Sequence, residues 1–224
     1  LTPVDHIISQ SDQLIDLLEL NDHPHILATT QRLAFSGLIA SDTVTTQFSG
    51  IGIDPIHEYD LFDLISFKQG TKLTVLDPQG SLIGANLAES LDLAVNDHAI
   101  LIANTSQHAL NAVDITVTGI TQSGNHELDS LLLHVPLDHA RQLMDTPHHA
   151  SHIILLLTDI KQTQQVKQDI INTLIKLGKN DLYDIFSWDE LAAVYTKVIA
   201  MQRSQLLIVE GILSLYDKAI RDLM

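Results

Sequence analysis

Residues 81–101 read SLIGANLAESLDLAVNDHAIL, and in this one short run the chain passes through a strand end, a glycine, a helical turn or two, a polar turn and a second strand. Leu82 and Ile83 have the character of buried strand, and Gly84 frees the backbone for a sharp exit. Leu87, Ala88 and Leu91 then recur at helical spacing, before Asn96 and Asp97 turn the chain. Asn tolerates a left-handed backbone, so Asn96 can end the helical stretch and let 99–103 resume as a strand. The segment organises a fold; it places no nucleophile beside a base.

Composition sets the limits around it. The 224 residues suffice for one large domain or two small ones, and 45% hydrophobic residues supply a core. A formal net charge of -16, with only 12 Lys and Arg, repels nucleic-acid phosphates and anionic lipid headgroups, so no nucleic-acid partner is expected. The absence of cysteine removes disulfides, thiol chemistry and Cys-ligated zinc without naming a compartment. No signal-peptide pattern opens the sequence, and no run reaches the roughly 20 apolar residues that span a bilayer. Residues 206–216, LLIVEGILSLY, are too short and carry Glu210; they read as a core or interface helix, or else as the edge of a membrane helix.

Periodicity predicts an opening helix over 5–20, then an antiparallel strand pair over 25–40 and 43–53 that Gly52, Asp54 and Pro55 bring to a stop. A short helix is expected over 56–67. From Lys72 the texture changes to short strands and frequent turns, with strands over 73–76, 112–121 and 130–135, an exposed loop over 123–127, and Pro136 at the first turn of a helix through Met144. Residues 152–158 read as an apolar strand, followed by a helix with Val166, Ile170, Leu174 and Leu177 on one stripe and a strand over 182–186. Ser187 or Asp189 can cap a last helix. The expected fold is α+β, with residues 1–71 and 148–224 forming an α/β subdomain that ends in helices at both chain termini. Residues 72–147 form a β-rich insert.

Catalytic chemistry finds little support. Among twelve histidines, the sharpest metal candidates are His148, His149 and His152, but Pro147 and the strand that follows argue against the helix that would align His148 with His152. Asp54 with Glu58, or Asp189 with Glu190, are the carboxylate pairs available for acid–base work; strand-ending and capping roles explain Asp54 and Asp189 more simply. No Ser lies in a Gly-x-Ser-x-Gly elbow. Trp188 reads as a core anchor, and the loops around 106–108 and 123–129 as contact candidates. No catalytic, cofactor or metal site is therefore expected.

In order, Gly52-Ile53-Asp54-Pro55, the strand-Gly-x-x-Leu-Ala pattern through Gly84, Leu87 and Ala88, the Ile-Thr-Val-Thr-Gly-Ile run ending in Gly119 and Ile120, Leu131 to His134 followed by Val135 and Pro136, and Ser187-Trp188-Asp189-Glu190-Leu191 resemble the extracytoplasmic core domain of the MacB, LolC/LolE and FtsX-like ABC transporter permeases. The resemblance covers residues 25–200. It implies a porter-like α/β subdomain with a Sabre-like insert, between the first two membrane helices of an inner-membrane permease and on its periplasmic or extracellular side. Such domains are non-catalytic and transmit ATP-driven helix motion (mechanotransmission). The implied partners are a cytoplasmic ATPase, a second permease subunit, and a periplasmic partner protein or lipidated or hydrophobic substrate. The chain lacks Gly-x-x-x-x-Gly-Lys-Ser/Thr, so ATP would be used by a separate subunit or domain. Two departures stand out: Asn96 where the family has Gly, and Asp217, Lys218, Arg221 and Asp222 where it runs on as a membrane helix. The rivals are a free-standing extracytoplasmic solute-binding or adhesion domain, which requires an apolar cleft with convergent polar groups, and a hydrolase using carboxylates or His-bound metal.

Overall fold

Strand β1 (Ile26–Ala40) organises the computed structural model, which describes residues 7–59, 65–105 and 107–192. Its fifteen residues are dense in Ile, Leu, Thr and Phe, and the turn at Ser41, closed by the Ser41 N–H on the Val44 carbonyl at 2.9 Å, sends the chain back as antiparallel β2 (Thr45–Ile53). This is the expected strand pair.

The two halves of β1 have different neighbours. Its first half pairs antiparallel with β8 (His152–Leu157), with Arg32 opposite His152. Its second half pairs with β2 on one side and, at 38–40, with β5 (His98–Asn104) on the other. From β5 the ladder continues through β6 (Leu110–Thr121), β4 (Gly80–Gly84) and β7 (Leu132–Pro136) and returns to β2, so β1, β2, β7, β4, β6 and β5 close into a ring. Closure leaves these strands with few open edges. β3 (Phe67–Gly70) adds to β6, making eight strands in all. The strands of 72–147 therefore do not close on themselves. Residues 33–53, expected in the other subdomain, complete the ring, because Leu33, Phe35, Ile39 and Phe48 point into the same core as Leu101, Ile115 and Leu133. Phe35 and Phe48 meet edge to face there, with centroids 5.5 Å apart.

Helix α2 (Ala85–Ser90) follows β4, and Leu87, Ala88 and Leu91 are buried as their spacing requires. Asn96 has φ 76°, the left-handed turn expected of it. Gly84, by contrast, has φ -63° and ψ 142°, ordinary extended backbone, so its role is to leave space and not to bend the chain. Asn125 caps α3 (His126–Asp129), accepting from the N–H groups of Glu127 and Leu128, within the stretch expected as an open loop. Pro136 precedes α4 (Leu137–Met144), whose Leu137, Ala140 and Leu143 enter the core. Gly52 lets α4 approach: a β-carbon there would lie 2.5 Å from that of Ala140. Gly119 accommodates the Thr71 carbonyl in the same way, at 2.6 Å.

Several expectations are corrected. The opening helix is only α1 (Ser11–Leu17), because Gln10 and Glu19 adopt left-handed backbone at either end, and a 3-10 turn (Leu20–Asp22) follows. Residues 73–76 form no strand: the Thr74 hydroxyl bonds the Asp77 carboxylate at 2.6 Å and folds the segment into turns around the buried Leu73. Residues 56–58 turn and Phe67 opens β3; the middle of the helix expected over 56–67 lies outside the described residues.

The chain divides at Thr158 into two units. In the second, α5 (Thr163–Lys176) buries Val166, Ile170 and Leu174, while Leu177 is partly exposed beyond its end. Gly178, at φ 65°, closes the helix as expected, with the Lys179 N–H on the Leu174 carbonyl at 2.9 Å. Residues 182–186 form no strand. Asp181 and Asp184 interrupt the apolar face, and Leu182 and Phe186 are exposed. A helix begins after Ser187; the remainder of the expected last helix, residues 206–216 included, lies outside the described residues.

Candidate coupling site

β1 changes partners between Arg32 and Leu33, and the side chains of Thr30, Gln31 and Arg32 flank that point on alternate faces. On one face the Arg32 guanidinium grips Glu58, Nη2 at 2.6 Å from Oε2 and Nε at 3.0 and 3.1 Å from the two oxygens. The Thr30 hydroxyl donates to Glu58 Oε1 at 3.1 Å. Glu58 is only 2% exposed, so its charge depends on these donors. His134, from β7, is half-buried nearby, with its Nδ1 fully enclosed and unmatched by any partner. Burial, reinforced by the Arg32 charge, lowers its pKa to about 4, which keeps the imidazole neutral.

On the other face, Gln31 joins three elements. Its Oε1 accepts from Arg141 Nη2 at 2.9 Å and from the Ser11 hydroxyl, and its Nε2 donates to Asp12 at 2.6 Å. Arg141 Nε also donates to the His149 carbonyl at 3.1 Å, and the Ser11 N–H to the His148 carbonyl at 3.0 Å. Ile8 and Ala150 exchange backbone bonds of 2.7 and 3.1 Å. Ser151 bridges the break in the ladder itself, donating to the Arg32 carbonyl at 3.0 Å and accepting from the Ala34 N–H at 2.8 Å. The start of α1, the middle of β1, the end of α4 and the strand leading into β8 thus meet in one polar collar. Ser11 and His148, which bond within it, stand 137 residues apart in sequence.

The metal candidates join this collar differently from the way the metal reading requires. His148 and His149 contribute carbonyls from a turn, closed by the His149 N–H on the Thr146 carbonyl at 3.2 Å, and His152 begins β8. The helix that would align His148 with His152 is not formed. Among the described residues no group of three or more His, Cys, Asp or Glu is placed to hold a metal ion. The carboxylate pairs are separated by their partners. Asp54 accepts from the N–H groups of Ile56 and His57 and lies 2.7 Å from His57 Nδ1. Burial raises its pKa, but these bonds outweigh it and hold the carboxyl below its usual value. Glu190 accepts from Lys167 Nζ at 2.7 Å and from the Ser187 N–H at 2.8 Å, so its carboxylate caps the start of the last helix and ties that start to α5, while the Ser187 hydroxyl does not cap it. Trp188 is 77% exposed at the first turn of that helix, which corrects its reading as a core anchor.

The collar residues were not found by sequence motif. The one available signal was a charged residue, Arg32, inside an otherwise apolar strand. A surface depression of about 520 Å³ lies by 70–71, 77–80, 95–96 and 116–118; Asp77, Gln79, Asn96, Thr116 and Thr118 give it a mainly polar lining.

The fold is that of extracytoplasmic domains of known transporters. The chain is similar to the periplasmic region of MacB from Actinobacillus actinomycetemcomitans, with a TM-score of 0.61 and 15% identity over 82% of each chain. It is similar also to the extracellular domain of the noncanonical ABC-type transporter YknZ from Gram-positive bacteria, with a TM-score of 0.60 and 12% identity over 81% of this chain and 90% of that one. No family model matches the sequence. Among the described residues no helix is long and apolar enough to cross a membrane.

Proposed function

We propose that this chain is the extracytoplasmic domain of an ABC transporter permease, held on the periplasmic or extracellular side of the cytoplasmic membrane, and that it is a coupling module and not an enzyme. The observation that carries this reading, beside the likeness of fold, is the collar at the middle of β1. It ties α1 and β8 to the ring by the side-chain bonds of Gln31, Arg141 and Ser151 and by shared carbonyls, so displacement of α1 is passed to the ring as a body. ATP is used by a separate ATPase subunit or domain, and a second permease subunit completes the transporter. The ring meets a partner protein or a lipidated or hydrophobic substrate. The mainly polar lining of the depression by 70–80 favours this over a solute-binding domain, which needs an apolar cleft.

The test is made on the full-length gene product. Reading its sequence should place apolar helices of about 20 residues on both sides of this chain. The purified protein, reconstituted with its ATPase, should then lose transport while retaining ATP hydrolysis when Gln31 and Arg141 are both replaced by Ala. A secreted protein with no membrane helices overturns the reading in favour of a free-standing binding domain. Unimpaired transport by the double variant removes the collar from the mechanism.

A further inference from the structure

The depression at the end of β3 is walled by turns whose backbone groups are spent on one another. The Thr71 N–H donates to the Thr118 carbonyl at 3.1 Å, the Gly80 N–H to the Asp77 carbonyl at 2.9 Å, the Asn96 N–H to the Val117 carbonyl at 2.8 Å and the Thr116 N–H to the Gln79 carbonyl at 2.8 Å. Hydrogen-bonding capacity left over for a ligand therefore belongs to side chains. Among the described residues, the side chains of Thr71, Gln79, Asn96 and Thr118 line the hollow and bond to no other residue. Asp77 receives the Thr74 hydroxyl on Oδ2 at 2.6 Å and keeps Oδ1 open. A β-carbon on Gly80 would stand 2.7 Å from Thr118 Oγ1, so glycine there keeps that hydroxyl uncovered. Val95 and Pro78 add small apolar surfaces. Asp77 is the one charged side chain in the lining, which holds no Lys, Arg or aromatic ring.

We propose that this hollow binds a neutral sugar unit of a glycan. The lining sorts the ligand classes. A phosphate or carboxylate finds no cation there and meets the repulsion of a net -16. An apolar ligand would strip water from amides and hydroxyls and return no hydrogen bonds. An ammonium group only donates, so it would use Asp77 and leave the amide N–H groups of Gln79 and Asn96 without an acceptor. A sugar hydroxyl both donates and accepts. Neighbouring hydroxyls of one ring can therefore pair with both ends of an Asn or Gln amide and with the Asp77 carboxylate, while the C–H groups of the ring lie on Val95 and Pro78. At about 520 Å³ the hollow falls in the range of small-molecule sites. As a depression of the surface it grips one end of a larger molecule and does not enclose a free solute. Contacts so open to water set a Kd of about 1 mM. The proposal does not rest on the transporter reading.

Amide NMR shifts of the isotope-labelled 224-residue chain test it. The probes are maltose, cellobiose and N,N′-diacetylchitobiose as neutral sugars, glucuronate as an anion and spermidine as a cation. At least one neutral disaccharide should shift the amides of 79–80, 95–96 and 116–118 and saturate, while glucuronate and spermidine leave these amides in place. Gln79→Ala with Asn96→Gly removes two amides that hold hydroxyls and should weaken that sugar about tenfold or more, with the thermal midpoint of unfolding unchanged. Thr118→Val keeps the shape of the side chain and removes only its hydroxyl, so it covers the case in which the double variant fails to fold; it too should weaken the sugar. No shift with any neutral disaccharide, shifts centred elsewhere, shifts of these amides by spermidine or glucuronate in place of sugar, or an affinity unchanged in the folded variants overturns the proposal.

Discussion

Gly84 lies against the backbone of Asp129, so closely that a β-carbon on Gly84 would stand 2.4 Å from the Asp129 carbonyl oxygen and 2.9 Å from its Cα. Neither side can yield, because Gly84 starts α2 from a central strand and Asp129 ends α3. Gly84→Val should therefore cost about 3 kcal/mol of stability in urea unfolding. His148→Ala with His149→Ala should cost much less, since both residues serve the collar through their carbonyls. Equal stability of Gly84→Val and the parent chain would remove this packing argument.

Glu58 has no charge partner other than Arg32 among the bonds described for it, and Thr30 supplies a neutral donor. Arg32→Met leaves that carboxylate buried and uncompensated, and about 3 kcal/mol should be lost. Arg32→Met combined with Glu58→Met should recover a large part of the loss, because an apolar pair needs no compensation. A double-mutant cycle with additive costs refutes the coupling.

His134 makes stability depend on pH in a direction that can be worked out. Its folded pKa, about 4, lies below the ordinary 6.5, so between those values the unfolded chain binds a proton that the folded chain does not. Its contribution is whole above pH 6.5, is lost as pH falls towards 4, and changes no further below that. Its full extent is roughly 3 kcal/mol. Urea unfolding of His134→Phe at several pH values should show a shallower decline than the parent chain over this window; parallel curves would exclude His134 as its source.

Asn96 holds a left-handed backbone that glycine enters without strain. Asn96→Gly should be neutral or slightly stabilising, and Asn96→Val should cost about 1 to 2 kcal/mol in thermal unfolding. The reverse order would show that the Asn side chain, not its backbone, governs the turn.

Glu190 is held below the usual carboxylate pKa chiefly by Lys167 and next by the Ser187 N–H. Glu190→Gln removes the charge from this exposed junction, and amide hydrogen exchange at Ser187 should quicken while exchange within α5 stays unchanged. Unaltered exchange at Ser187 would show that the cap does not depend on Glu190.

Elements governed by local rules were legible in the sequence. The β1–β2 pair, the turn at Asn96, the helix after Pro136 and the glycine stop at Gly178 each follow from neighbours within a few positions. Ring closure was not, because Ser49 meets Leu132 and Leu38 meets Ile102 only after long loops have closed. The collar was hidden for the same reason, since nothing near Gln31 in sequence announces Arg141. Residues 73–76 and 182–186 mislead through apolar content alone: the first is captured by a side-chain turn, and the second has no ladder to join. Trp188 departs from the core position its size suggests because it stands at the first turn of a helix, where its side chain is exposed.

β1 is one uninterrupted strand of roughly 50 Å. Antiparallel hydrogen bonds run perpendicular to their strands, so tension applied along β1 at Ile26 loads its ladders with β8, β2 and β5 in shear, all rungs at once, and does not unzip them singly. A pull across the strand at Ala40 would instead peel the ring open rung by rung. The same element is thus stiff along one axis and compliant along another. A force measured through residue 26 should meet far greater resistance than one measured through the turn at Ser41.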